Sequence, residues 1–216
     1  MGCISESLGA MDGANERTRT YLQRLSPIHP NSSDIFFGLD VVIMTFILKP
    51  EPLTTEAFAP FGDVVEAGIT PPIMINGGNT ERYDSLVKVQ TENPNDTAVI
   101  NIFRAQPRMI EADAEQSRMR IEMMERHPRG SQSFQPLSGE PYLVLVADAV
   151  EDLKPENLHL FLAQPDQGIN YHMNTWHHPV LGLNKVCDFL VVDRKGEGNN
   201  CEEFYFDQGQ RIEIQL

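Results

Sequence analysis

Cysteine is scarce in this chain of 216 residues: Cys3, Cys187 and Cys201 are the whole count. So sparse and odd a set makes no disulfide framework, and without a C-x-x-C pair there is no structural zinc knuckle. The reading is a reducing, cytoplasmic setting with free thiols. Cys187 lies inside the apolar run VCDFLVV and reads as packing. Cys201 follows GEGNN and reads as a loop thiol with no obvious histidine partner. Basic residues are few as well, 17 Lys and Arg against 31 Asp and Glu, a net charge of −14. That field repels phosphate and excludes general nucleic-acid binding, while leaving room for a small anion held by one local arginine. No run of about eighteen apolar residues exists, so no spanning helix is expected and no membrane partner. The glycine loop at Asn76–Asn79 lacks a G-x-G-x-x-G pattern, so no nucleotide or organic cofactor is expected. An apolar fraction of 41% suffices for a core and excludes wholesale disorder.

Two regions follow from patterning. Residues 1–43 are rich in Gly, Ser, Asn and Pro and show no sustained period. They read as a disordered extension with a short helix through Asn15–Leu25. This segment has no basic start followed by an apolar stretch, so it is no secretory signal. Its five acidic and three basic residues argue against a transit peptide. Met1-Gly2-Cys3 suggests acylation, but Glu6 stands where that pattern needs Ser or Thr. Residues 44–216 read as one mainly β domain. Met44–Leu48, Ala98–Arg104, Tyr142–Ala147, Leu158–Ala163 and Val186–Asp193 are strand-like runs. Arg120–Arg126 alternates less cleanly, with helix as a rival. Thr54 and Thr55 are caps for a short helix through Glu56–Phe61. Short strands with Pro, Gly and Asn punctuation predict a β-sandwich or barrel.

Three constellations carry chemistry. Glu125, His127, Gln132 and Gly139 read E-x-H, four residues, Q, six residues, G. Cupin-type barrels carry H-x-H, three or four residues, E, six residues, G, and the spacing is similar. Residues two apart on a strand share a face, so Glu125 and His127 face the barrel interior together. Gln132 arrives from the next strand. Carboxylate, imidazole and amide oxygen suit a divalent metal such as nickel or manganese; the competing reading is a polar trio that hydrogen-bonds itself. Next comes Gly168–His178, which holds His172, His177 and His178, half of the six histidines. Only one of His177 and His178 enters a site; the second cupin motif places its histidine three residues after a turn, and the similar spacing from Asn174 favours His177. His172 reaches the mouth, and Asn170 and Tyr171 are candidate substrate contacts. The third is Arg104 in NIFRAQP. An arginine in an apolar strand needs a carboxylate, either the protein's or a substrate's. Asp193-Arg194-Lys195-Gly196 reads as a solvated turn.

With these residues in view, the chain resembles a ureidoglycolate lyase, a family formerly called ureidoglycolate hydrolase. The matching pieces are LTTEAFAPFGDVVEA, NGGNTERYDSL, INIFRAQP, MERHPRGSQSFQPLSG, DQGINYHMNTWHHPVL and DFLVVDRKGEGNNCEE, in family order over most of Met44–Glu203. The resemblance implies a cupin-like double-stranded β-helix, a homodimer, and cleavage of (S)-ureidoglycolate to glyoxylate and urea in allantoin breakdown. In that chemistry a base takes the carbinol proton and an acid protonates the leaving nitrogen. His127, His172 and His177 are the candidates, and Arg104 holds the carboxylate. A metal on Glu125, His127, Gln132 and His177 competes with the use of His127 as a base. The rival functions are an amidohydrolase releasing ammonia and a non-enzymatic cupin that binds a small acid.

Overall fold

The computed structural model describes residues 18–23, 43–107, 111–113, 116–207 and 209–216; for 18–23, 111–113 and 116–118 it describes the backbone alone. The protein is mainly β, as the strand pattern predicts, and divides into two compact units.

The smaller unit holds a five-stranded sheet in the order Thr18–Gln23, Ile43–Leu48, Gln210–Gln215, Gln116–Ile121, Glu111–Asp113. Ile43–Leu48 and Gln210–Gln215 run parallel, and the other pairs are antiparallel. Phe46, Leu48, Met119, Ile121, Ile212 and Ile214 are its buried apolar residues. The extension predicted over 1–43 falls mostly on residues 1–17 and 24–42, outside the described residues. Within it, Thr18–Gln23 forms a strand against Ile43–Leu48, which corrects the expected helix over Asn15–Leu25. Its TRTY start is β-favouring, and ladder pairing outweighs weak helical periodicity. The run at 120–126 is not one strand either. It breaks at Glu122 into Gln116–Ile121, in this unit, and Met123–Arg126, in the other.

The larger unit carries the cupin-like barrel. One sheet orders Gly62–Val65, Gly168–Tyr171, Gln132–Pro136, Cys187–Lys195 and Thr97–Ala105, antiparallel throughout. A second orders Leu181–Gly182, Tyr142–Ala147, Leu158–Ala163 and Glu51–Pro52. Met123–Arg126 pairs antiparallel with Glu202–Tyr205. Inward residues alternate on each strand: Phe134, Ile169, Tyr171, Phe189 and Val191 from the first sheet, Tyr142, Val144, Val146, Phe161 and Ala163 from the second. Tyr142–Ala147 is buried at every position, as its unbroken apolar run implies. The helix Thr55–Phe58 is capped by Thr54, whose Oγ1 accepts from the Ala57 N–H at 3.1 Å. It stops short of Phe61 because Pro60 has no N–H to extend it. Among the described residues no helix is long and apolar enough to cross a membrane.

Candidate active site

Met123–Arg126 sets the first site residue by simple alternation. Met124 and Arg126 face away from Glu125. Arg126 ion-pairs with Glu151 and Glu202 and stacks on Trp176 at 4.4 Å. The turn at Asn174, with φ of 68°, returns the chain so that Trp176–His178 runs alongside. Glu125 N–H donates to the His177 carbonyl at 2.7 Å, and His177 N–H donates to the Glu125 carbonyl at 2.8 Å. His178 N–H bonds Leu145 and Ala147 N–H bonds Trp176, so this segment wedges between two strands. Trp176 and His178 therefore point one way and His177 the other, beside Glu125. His178 is buried with Nδ1 on the Pro179 carbonyl, a structural role.

The ligating atoms of Glu125, His127 and His177 all lie within 4.8 Å of one another. His177 Nε2 is 3.6 Å from Glu125 Oε1, and the His127 and His177 rings are 5.1 Å apart. Each imidazole is oriented through Nδ1: His127 on the Asn200 carbonyl at 2.6 Å, His177 on the Thr175 carbonyl at 2.8 Å. A carbonyl only accepts, so each Nδ1 carries a proton, and in the neutral ring Nε2 is the lone pair. Both Nε2 atoms are buried and without a hydrogen-bond partner. The Tyr171 ring stacks on His177 at 4.1 Å and 14°, which fixes the plane of the imidazole.

Electrostatics follow from burial. Desolvation pushes the Glu125 carboxyl up; His127 opposes this, and the charges of Glu203 and Asp193 add to it. Burial, then the nearby charge of His127, pushes His177 down to about 3, so it is neutral at pH 7. Burial holds the Tyr171 phenol well above its ordinary value. Burial raises the Cys201 thiol, and the Glu125 charge raises it further.

Gln132 is buried on the same inner face as Phe134, but its Nε2 donates to Asp193 Oδ1 at 2.8 Å. Asn101 donates to the other oxygen of Asp193 at 3.4 Å. Asp193 thus organises two amides, a role the sequence did not signal because it sits at the end of an apolar run. The turn reading of Asp193–Gly196 is corrected with it. Cys187–Lys195 extends through Lys195, and the Arg194 side chain, 1% exposed, forks onto Asp96 at 2.6 and 2.8 Å. Its stem crosses Gly130, where a Cβ would come within 2.6 Å of Arg194 Cβ.

Three predicted residues lie away from this cluster. His172 follows Tyr171, so alternation turns it to the opposite face, where Nε2 bonds Asp63 at 3.2 Å. Asn170 lies on that face too, donating to Asp63 at 3.1 Å and accepting from Ser133 Oγ at 2.6 Å. Arg104 has a protein partner. It forks onto Asp188, directly across the sheet, at 2.7 and 2.8 Å, and its side chain is 66% exposed. Of the two carboxylates that sequence reading left open, the structure supplies the protein's own.

The group Glu125, Cys201 and Glu203 was missed. Its ligating atoms also lie within 4.8 Å of one another. Glu125 and Glu203 are register partners on antiparallel strands, a pairing that requires the fold to be known.

Residues 45–213 match the family model described as ureidoglycolate lyase. The chain is 51% identical over 162 residues to the ureidoglycolate lyase of Pseudomonas savastanoi pv. phaseolicola (strain 1448A / Race 6), covering 75% of this chain and 91% of that one. It is 49% identical over 165 residues to the ureidoglycolate lyase of Pseudomonas aeruginosa (strain LESB58), covering 76% and 94%. The corresponding protein of Pseudomonas fluorescens (strain Pf0-1) is 48% identical over 165 residues, covering 76% and 95%.

Proposed function

The chain belongs to the ureidoglycolate lyase family, and from that premise we propose that it cleaves (S)-ureidoglycolate to glyoxylate and urea with Glu125, His127 and His177 as its site. The reaction belongs to purine nitrogen catabolism. The observation that carries the assignment of the site is the pair of orphaned Nε2 atoms beside Glu125. Two buried lone pairs face a carboxyl group, and such an arrangement calls for a proton or a cation from outside.

The chemistry fits those groups. The carbinol O–H loses a proton, its oxygen becomes the aldehyde of glyoxylate, and the C–N bond breaks toward nitrogen. That nitrogen takes a proton and leaves as urea, so no electron carrier is needed. His127 Nε2 takes the hydroxyl proton, because Nδ1–H on Asn200 leaves that lone pair free. Glu125, whose carboxyl burial pushes up, is the proton donor to the leaving nitrogen. His177 is too weak a base at pH 7 and instead positions Glu125. With its Nε2 held by Asp193, Gln132 keeps its carbonyl oxygen for the ureido N–H groups.

Glu125, His127 and His177 also suit a divalent ion, nickel or manganese by their mixed nitrogen and oxygen donors, which would polarise the hydroxyl and offset the acidic surroundings for an anionic substrate. The one free lone pair of His127 serves either an ion or a proton. Metal content measured beside activity separates the two. In either form His127→Ala is expected to lower the rate of urea release by roughly 10²–10⁴-fold with the circular dichroism unchanged. An unchanged rate would remove this site from the reaction.

A homodimer and a cytoplasmic location complete the proposal. Ile100 and Ile102, 69% and 58% exposed on the edge strand Thr97–Ala105, offer an apolar face to a second copy. Cys187 and Cys201 are free thiols, as a reducing compartment requires.

A further inference from the structure

Gln132 and Asn101 both aim their amide nitrogens at one carboxylate. Gln132 Nε2 donates to Asp193 Oδ1 at 2.8 Å, and Asn101 Nδ2 donates to Asp193 Oδ2 at 3.4 Å. A carboxylate accepts, so the network itself decides which way each amide faces. With its nitrogen on Asp193, each amide turns its carbonyl oxygen away from Asp193. Neither oxygen has a hydrogen-bond partner among the described residues, although Gln132 is only 6% exposed. A buried network that serves packing alone is satisfied internally, whereas this one ends in two open acceptors. It also adjoins the reacting groups. Gln132 pairs with Tyr171 across the strands, and the Tyr171 ring stacks on His177. The Asp193 charge reaches Glu125 as well. This wall of the site therefore presents acceptors and negative charge to a ligand.

We propose that Asp193 is a positioning residue for substrate selectivity: by holding both amide nitrogens it presents the Gln132 and Asn101 carbonyl oxygens as a paired acceptor for the N–H groups of a ureido function. This rests on the reading of the chain as a lyase acting on ureidoglycolate, and it assigns which end of that substrate this wall reads. A ureido group is rich in N–H donors, whereas a carboxylate has none and is repelled by Asp193. The ligand is therefore oriented with its ureido end at Gln132 and Asn101 and its carboxylate on the far side. Such a wall discriminates against any analogue that lacks a matching N–H, because an acceptor is then left unpaired. Asp193→Asn removes the constraint. An amide at that position donates to Gln132 Oε1, so Gln132 is free to flip and turn its own NH2 into the site.

The test uses the full chain and a set of unreactive probes that keep the carboxylate but lack the carbinol hydroxyl. They are N-carbamoylglycine; N-acetylglycine, in which methyl replaces the terminal amino group; and succinamate, in which methylene replaces the inner N–H. Titration calorimetry on wild type is expected to favour N-carbamoylglycine over each of the others by roughly tenfold or more. In Asp193→Asn that preference is expected to fall to about threefold or less, and in turnover KM rises with kcat changed far less. Asn101→Ala removes one acceptor and is expected to lose part of the preference, which keeps the variant arm open if Asp193→Asn does not fold. Wild type that binds the probes equally, or binds none of them, would overturn the proposal. So would a folded Asp193→Asn or Asn101→Ala that keeps the full preference. Because the probes do not react, urea release from (S)-ureidoglycolate is scored separately. A chain that selects N-carbamoylglycine but releases no urea fails the lyase reading alone, and one that releases urea without that selection fails this proposal alone.

Discussion

His177 Nε2 lies 3.6 Å from Glu125 Oε1, and the two residues are locked together by reciprocal backbone hydrogen bonds of 2.7 and 2.8 Å. The backbone fixes the side chains in mutual reach before any substrate arrives, which is the preorganisation a proton-transfer site needs. The same enclosure that holds them raises Glu125 and depresses His177.

Glu125→Gln should separate stability from activity. The native carboxyl binds its proton more tightly than the unfolded one, so its stabilising share is full below pH 4.5 and lost as pH rises through the native pKa. The amide never ionises. Melting temperature is expected to rise at pH 7 to 8 relative to wild type, with the difference closing below about pH 4.5, while kcat falls roughly 10²–10⁴-fold. Scanning calorimetry across pH, paired with urea release, checks both halves.

His177 should govern part of the acid sensitivity. Its native pKa near 3 lies below the unfolded 6.5, so the stability it allows is complete above pH 6.5 and is lost as pH falls toward 3. His177→Asn is expected to flatten the loss of stability between pH 6.5 and 3, measured by urea denaturation. A slope equal to that of wild type would place the sensitivity elsewhere.

Arg104→Lys is expected to leave KM unchanged, because its fork is already taken by Asp188. The exposed pair is worth about 0–1 kcal/mol, so melting should change little. A large rise in KM without a change in melting would show that the fork grips substrate.

How much of this was legible in the sequence depends on what local spacing encodes. The E-x-H step gave Glu125 and His127 a common face by period-two geometry, and the resemblance to cupin spacing after the turn at Asn174 selected His177 over His178. Met44–Leu48, Tyr142–Ala147 and Leu158–Ala163 were readable because apolar runs survive any register. His172 was not readable. Whether Tyr171 or His172 faces inward depends on how Gly168–Tyr171 registers against Gln132–Pro136, which no local pattern carries. Asp193, Cys201 and Glu203 were hidden for the same reason, since their partners lie 61 to 92 residues away in sequence. The Arg104 partner, Asp188, is a cross-strand neighbour in the sheet and equally long-range.

Residues 44–216 are proposed as the lyase domain. The family match begins at residue 45, although Thr18–Gln23 adds a strand beside Ile43–Leu48. Removing residues 2–42 keeps Ile43–Leu48 whole and is expected to retain kcat/KM, with a modest fall in melting temperature from the exposed strand edge. Loss of activity would make the added strand part of the working enzyme.

The most direct measurement is the product balance of the purified full chain on (S)-ureidoglycolate, with urea, glyoxylate and ammonia followed together. The account predicts urea and glyoxylate in equal amounts, no ammonia, and loss of both products in His127→Ala. Ammonia in place of urea, or no turnover of the substrate, would contradict it.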